Sequence, residues 1–244
     1  MAKLSSGPAT NPQDVLTVST VQETDLGAKV ESSDGRIFRY ARVGTTVLVP
    51  ATLIQAPAEV TNHQGRTPAA AAIGDTQVSV GLGATAADID QYAGGYLVVT
   101  NINGAGGGYA YGVRSHAAVA SSGTITVFLT EAVASAITAS STIDFVANPY
   151  NRVVINPVTT PTSAPIGVAL GNPGASSYCW IQTHGPAIVQ SEAAITVGAS
   201  AAVGTTFAGT VRNAVGSESL TPIVGYALTG IAASEKGIIY LTID

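Results

Sequence analysis

The chain of 244 residues carries 10 basic and 15 acidic side chains, a net charge of −5; only 10% of its residues are charged and 46% are hydrophobic. That length can bury a core without cross-links, and the single cysteine, Cys179, excludes an intrachain disulfide framework and a cysteine-based zinc site. The acidic balance and the scatter of the basic residues exclude a nucleic-acid footprint, while charge this sparse predicts that part of the surface is covered by another molecule.

The start, Met1 to Pro8, has Lys3 but no apolar run behind it, which predicts a protein without a secretory signal, made in a cytosol. No stretch reaches the 18 or so unbroken apolar residues of a spanning helix, so no membrane partner is expected. Residues 1–30, with Ser5-Ser-Gly-Pro8 and Asn11-Pro-Gln13, suit an extended N-terminal arm that orders against a partner or else a disordered tail. Asp34-Gly-Arg-Ile-Phe-Arg-Tyr-Ala-Arg-Val-Gly44 then gathers Arg36, Arg39 and Arg42, the one local concentration of basic charge. A spacing of three spreads them around a strand; each is either a solvated residue or a fork-shaped donor for carboxylates at an interface.

Short β-branched runs bounded by Gly, Pro, Asn or Ser follow: Val47–Val49, Thr76–Val80, Tyr96–Thr100, Thr124–Leu129, Arg152–Ile155 and Gly237–Ile243. Thr124–Leu129 and Gln77–Val80 alternate polar with apolar residues, the period of antiparallel strands with one face on a core. Ala86–Tyr92 and Glu131–Ile137 each have room for one helical turn. The glycines of Asn103–Gly108 lack the lysine and spacing of a phosphate loop and predict a hairpin turn between Tyr96–Thr100 and Tyr109–Val113.

No catalytic, cofactor or metal site is expected. His63, His116 and His184 are isolated from one another and from any nucleophile motif. Asp88 and Asp90, two apart beside Tyr92, read as a capped, solvated turn before an acid pair or a calcium site. In Tyr178-Cys-Trp-Ile-Gln-Thr-His-Gly-Pro186, Cys179 and His184 are an odd number apart and point to opposite faces of a strand. That segment reads as a core strand packing Trp180, turned by Gly185-Pro186.

The predicted class is all-β: an antiparallel β-barrel or sandwich with an inserted β domain and an extended N-terminal arm. The arm covers 1–30, strands in 31–66 complete the C-terminal barrel, 67–157 form the insertion, and 158–244 are the barrel or sandwich itself. Pro165-Ile-Gly-Val-Ala-Leu170 and Pro222-Ile-Val-Gly-Tyr-Ala-Leu228 echo each other and predict two similar strands within one barrel.

The run Arg36-Ile-Phe-Arg-Tyr-Ala41, Tyr92-Ala-Gly-Gly-Tyr-Leu-Val-Val99, Asn148-Pro-Tyr150, Ile166-Gly-Val-Ala169, Tyr178–Ala187 and Val224-Gly-Tyr-Ala227 together resemble head decoration (cement) proteins of tailed bacteriophages. The resemblance touches the chain from about residue 34 onward and consists of packing and turn patterns. It implies a non-enzymatic virion protein on the outer surface of a phage head, stabilising the shell by binding across subunits of the major capsid protein, and a homo-oligomer, trimer before dimer. Under it, Lys3, Arg36, Arg39 and Arg42 are capsid-contact candidates, and Tyr96, Tyr109 and Trp180 are core or oligomer-interface candidates. A tail or fibre protein binding host glycans through exposed tyrosines is the alternative.

Overall fold

A computed structural model describes residues 14–101, 105–158, 161–214 and 221–244. The protein is nearly all β, as its short β-branched runs predict: apart from the one-turn 3-10 segments Asp14–Leu16 and Thr61–His63, every regular element described is a strand. Its contacts divide it into two compact units, one made of 1–58 with 149–244, the other of Glu59–Asn148.

In chain order the strands are β1 (Lys29–Glu31), β2 (Ile37–Val43), β3 (Leu53–Gln55), β4 (Gln77–Gly81), β5 (Tyr96–Val99), β6 (Ala110–His116), β7 (Thr124–Leu129) and β8 (Ile143–Val146). They continue as β9 (Asn151–Ile155), β10 (Pro165–Ala169), β11 (Tyr178–Gln190), β12 (Ser200–Val203), β13 (Val211–Asn213), β14 (Ile223–Ala227) and β15 (Lys236–Thr242).

The first unit consists of two barrels that share the 13-residue strand β11. Its first half closes the ring β2-β9-β3-β10-β11, because β11 pairs with both β10 and β2. Ala41, Val43, Leu48, Ile54, Val153, Cys179 and Ile181 fill that ring; each large side chain so buried contributes about 1.5–3 kcal/mol. Its second half pairs with β15 and leads through β14 and β12 to β13, and the Ser191–Val211 bridge brings β13 back to the end of β11. Ala187, Val189, Val203, Val211, Val224, Ile239 and Leu241 fill this second ring.

One strand can serve two barrels because Gly185, at φ 82°, sits where the pairing changes from β2 to β15. The conformation is one that glycine adopts without strain. The echo Pro165–Leu170 and Pro222–Leu228 thus falls in two barrels, β10 in one and β14 in the other, where a single barrel was expected.

The second unit is a smaller barrel, β4-β7-β6-β5-β8, closed by the segment around Arg66–Ala69. Arg66 exchanges backbone hydrogen bonds with Ile143 of β8, and the N–H of Ala69 donates to Ser79 of β4 at 2.7 Å. The predicted hairpin is present, with Tyr96 opposite Gly112. Neither predicted helical turn forms: 89–94 is a succession of tight turns with Asp90 at φ 52°, and Glu131–Ile137 is irregular.

Three further expectations differ from the fold. Val47–Val49 is not a strand; Leu48 fills the first barrel while Val47 and Val49 are exposed. Asn151–Ile155 belongs to the large sheet and not to an insertion ending at 157, because β9 pairs with β2 and β3. The described part of the N-terminal segment lies on its own barrel and does not extend as an arm. Val15, Leu26, Ala28 and Val30 are few but spaced to cover Phe38, Tyr40 and Trp180, and Ser19 exchanges backbone hydrogen bonds with Tyr178.

Candidate interaction surface

Arg36, just before β2, and Arg39 and Arg42 within it alternate between two faces, as the spacing of three requires. Arg36 Nε donates to Asp34 Oδ2 at 2.7 Å, and its guanidinium lies 5.5 Å from the Phe38 ring. Arg39 forms a two-pronged pair with Asp244, Nε to Oδ2 at 2.7 Å and Nη2 to Oδ1 at 2.8 Å, and its Nη1 donates to the Gly27 carbonyl at 2.9 Å. The Arg39 hydrogen bonds hold the Asp244 carboxyl below the ordinary aspartate range, against the opposing effect of partial burial. Arg42 lies on the face of Tyr40 and Trp180, its guanidinium 5.9 Å from the Tyr178 ring. Lys3 lies outside the described residues.

Trp180 is core, 4% exposed and edge-on to Tyr40 at 5.2 Å, whereas Tyr96 is 50% and Tyr109 44% exposed. The two tyrosines are therefore surface groups of the smaller barrel, not core. Tyr109 stacks on the buried Tyr111 at 6.0 Å, and Tyr96 stands opposite the exposed Val146.

Cys179 and His184 do not meet. Cys179 points into the first barrel, where burial pushes its thiol up to about 12. His184 uses Nδ1 on the backbone oxygen of Asp244 at 2.9 Å and lies edge-on to Tyr240. Asp90 accepts the His116 N–H at 2.9 Å, a turn contact in keeping with the structural reading of Asp88 and Asp90. Among the described residues, no three His, Cys, Asp or Glu side chains are grouped to hold a metal ion.

The feature that the sequence reading missed is an apolar sheet face on the second barrel. The inward positions of β11, β15 and β14 make the core, so their alternate residues point outward. Ile188 stands opposite Ile238, Pro186 opposite Tyr240, and Tyr226 opposite Tyr240 on the next pair. The N–H of Leu228 donates to the Ile238 carbonyl at 3.0 Å, which sets that side chain beside the same strand. Ile188 is 53% exposed, Tyr226 50%, Leu228 47%, Ile238 42% and Tyr240 37%. At roughly 200 Å2 for a large side chain, these fractions leave about 450 Å2 on one face, the size of the largest apolar patch of a typical monomer, which is often functional.

Among the described residues, no acidic side chain stands at the outward positions of these strands: Gln190 and Lys236 pair at one end, His184 and Thr242 at the other. The alternation Lys236, Ile238, Tyr240, Thr242 was the available signal. It was hidden because the residues between, Gly237, Ile239, Leu241 and Ile243, make the whole run look like a buried strand.

Comparison with family models, curated proteins and solved structures finds no match for this chain.

Proposed function

We propose that the protein is a non-enzymatic virion component that decorates a tailed-phage head and stabilises it by binding across subunits of the major capsid protein. The observation that carries this reading is the uncharged apolar face of β11, β15 and β14, in a chain of which only 10% is charged. A surface of this kind costs free energy in water and is relieved by burial in an assembly. The ionisable groups support the same reading: Arg39, Asp244, Asp34 and Glu192 are engaged in contacts that hold loops and strands, the use expected of a scaffold. On a capsid lattice, weak contacts repeated by each copy of an oligomer add through multivalency.

A second reading, glycan binding on a tail or fibre, draws on the exposed Tyr96 and Tyr109, since a sugar ring can stack on a tyrosine. One experiment separates the two. Purified protein is mixed with phage heads that lack outer proteins and imaged by cryo-electron microscopy. Added density at regular lattice positions supports decoration; bare heads overturn it and favour the glycan reading.

A further inference from the structure

We propose that the outward face of β11, β15 and β14 is a self-association surface, on which two copies of this chain pack sheet against sheet about a two-fold axis. The inference concerns the free protein and goes beyond the head reading, which draws on the same face: with the face taken up between two copies, the capsid contacts of the head reading fall to other surfaces of the dimer.

Three observations select a second copy as the occupant. The first is area. A stable interface takes about 800 Å2 from each partner, roughly 60% of it apolar, or a little under 500 Å2. The five residues Ile188, Tyr226, Leu228, Ile238 and Tyr240 supply about that amount from one continuous surface.

The second is charge. With 15 acidic and 10 basic residues, two copies repel through much of their surfaces, but among the described residues the outward positions of β11, β15 and β14 carry no acidic group, with Lys236 at one margin and His184, bonded to Asp244, at the other. On such a face two copies of an acidic chain meet without placing like charges against each other, a juxtaposition that disfavours association.

The third is shape. The face consists of adjacent antiparallel strands in regular register, and sheet faces pack on one another at about 10 Å with their side chains interdigitated. Tyr226 and Tyr240 at its centre are of the residue type that anchors such contacts with little loss of side-chain freedom. Because the same patch serves both partners, the contact is isologous and closes at two copies. The free protein is then a dimer, the second of the two oligomers that the family resemblance implies.

The test is sedimentation of the full chain between about 1 and 100 µM, a span that covers micromolar self-affinity. Wild type is expected to sediment as a dimer, and Ile238→Lys as a monomer at all concentrations. Lys236 already occupies an outward position of the same strand, so a lysine two residues on leaves the fold intact, which circular dichroism checks. Ile188→Lys, on the neighbouring strand, is the second variant and is expected to act alike. A monomeric wild type overturns the proposal, and a head-binding defect in Ile238→Lys would then assign the face to a capsid partner. An oligomer that survives both substitutions also overturns it, as does a wild-type trimer.

Discussion

Arg39 and Asp244, 205 residues apart, meet in a two-pronged ion pair that ties the β2 strand to the segment following β15. Thr183 completes it, its hydroxyl donating to Asp244 Oδ2 at 3.2 Å. Both side chains are about a quarter exposed, so the pair lies between a surface bridge and a buried one. Arg39→Ala is expected to cost about 1–2 kcal/mol, read by urea denaturation. The Asp244 carboxyl titrates below its ordinary 3.8 in the folded chain. Its contribution is therefore full above that value and lost as the pH falls through the lower folded one. Asp244→Asn should flatten the stability profile in that acid window; an unchanged profile would show that the pair contributes nothing there.

Cys179 lies inside the first barrel, and burial alone lifts its thiol to about 12. Thiolate is the reactive species, so an aromatic disulfide reagent at pH 8 is expected to leave the native protein unlabelled. Full reaction should follow on unfolding in guanidinium. Rapid labelling of the native protein would mean that the barrel opens readily around β2 and β11.

How much of this was legible follows from where each signal resides. Thr124–Leu129 carries its period of two within six residues and forms β7 over that very span. Trp180 as core was equally readable, since a lone large aromatic in a β-branched run has few other places to go. The Arg39 partner was not, because no local pattern links residues 205 apart. The sharing of β11 between two barrels was also hidden: one glycine in a continuous strand pattern does not announce a change of pairing partner. The apolar face escaped for a related reason, as β15 is apolar on both sides and its outward residues read as core.

Glu192 organises the turn between β12 and β13. Its carboxylate accepts backbone N–H bonds from Thr205 at 3.1 Å, Thr206 at 2.8 Å and Phe207 at 3.2 Å, and the Thr210 hydroxyl at 2.9 Å. Burial pushes its carboxyl up, but the three N–H groups and the hydroxyl outweigh that and hold it below the ordinary glutamate value of 4.5. Stability from Glu192 is thus present above that value and declines as the pH falls through the lower folded one. Glu192→Ala strands these donors and should cost about 2–3 kcal/mol. Hydrogen exchange is the decisive readout: the amides of Thr205, Thr206 and Phe207 should exchange faster while those of β15 do not.

In the smaller barrel, the Tyr92 hydroxyl faces Nδ1 of the fully buried His63. His63 Nε2 faces the Thr85 carbonyl at 2.9 Å, an acceptor only, so Nε2 donates there and Nδ1 accepts a hydrogen bond from the Tyr92 hydroxyl. Tyr92→Phe keeps the ring, which stacks on Phe145 at 4.9 Å, and removes the hydroxyl that donates to His63 and accepts from Gln91 Nε2 at 3.4 Å. A buried nitrogen left without its partner costs about 1–3 kcal/mol. The loss should appear in the second unit alone, as faster amide exchange in β5 and β8 with the strands of the first unit unchanged. A variant as stable as wild type would show that His63 finds another donor, and a loss shared by both units would show that the two unfold together.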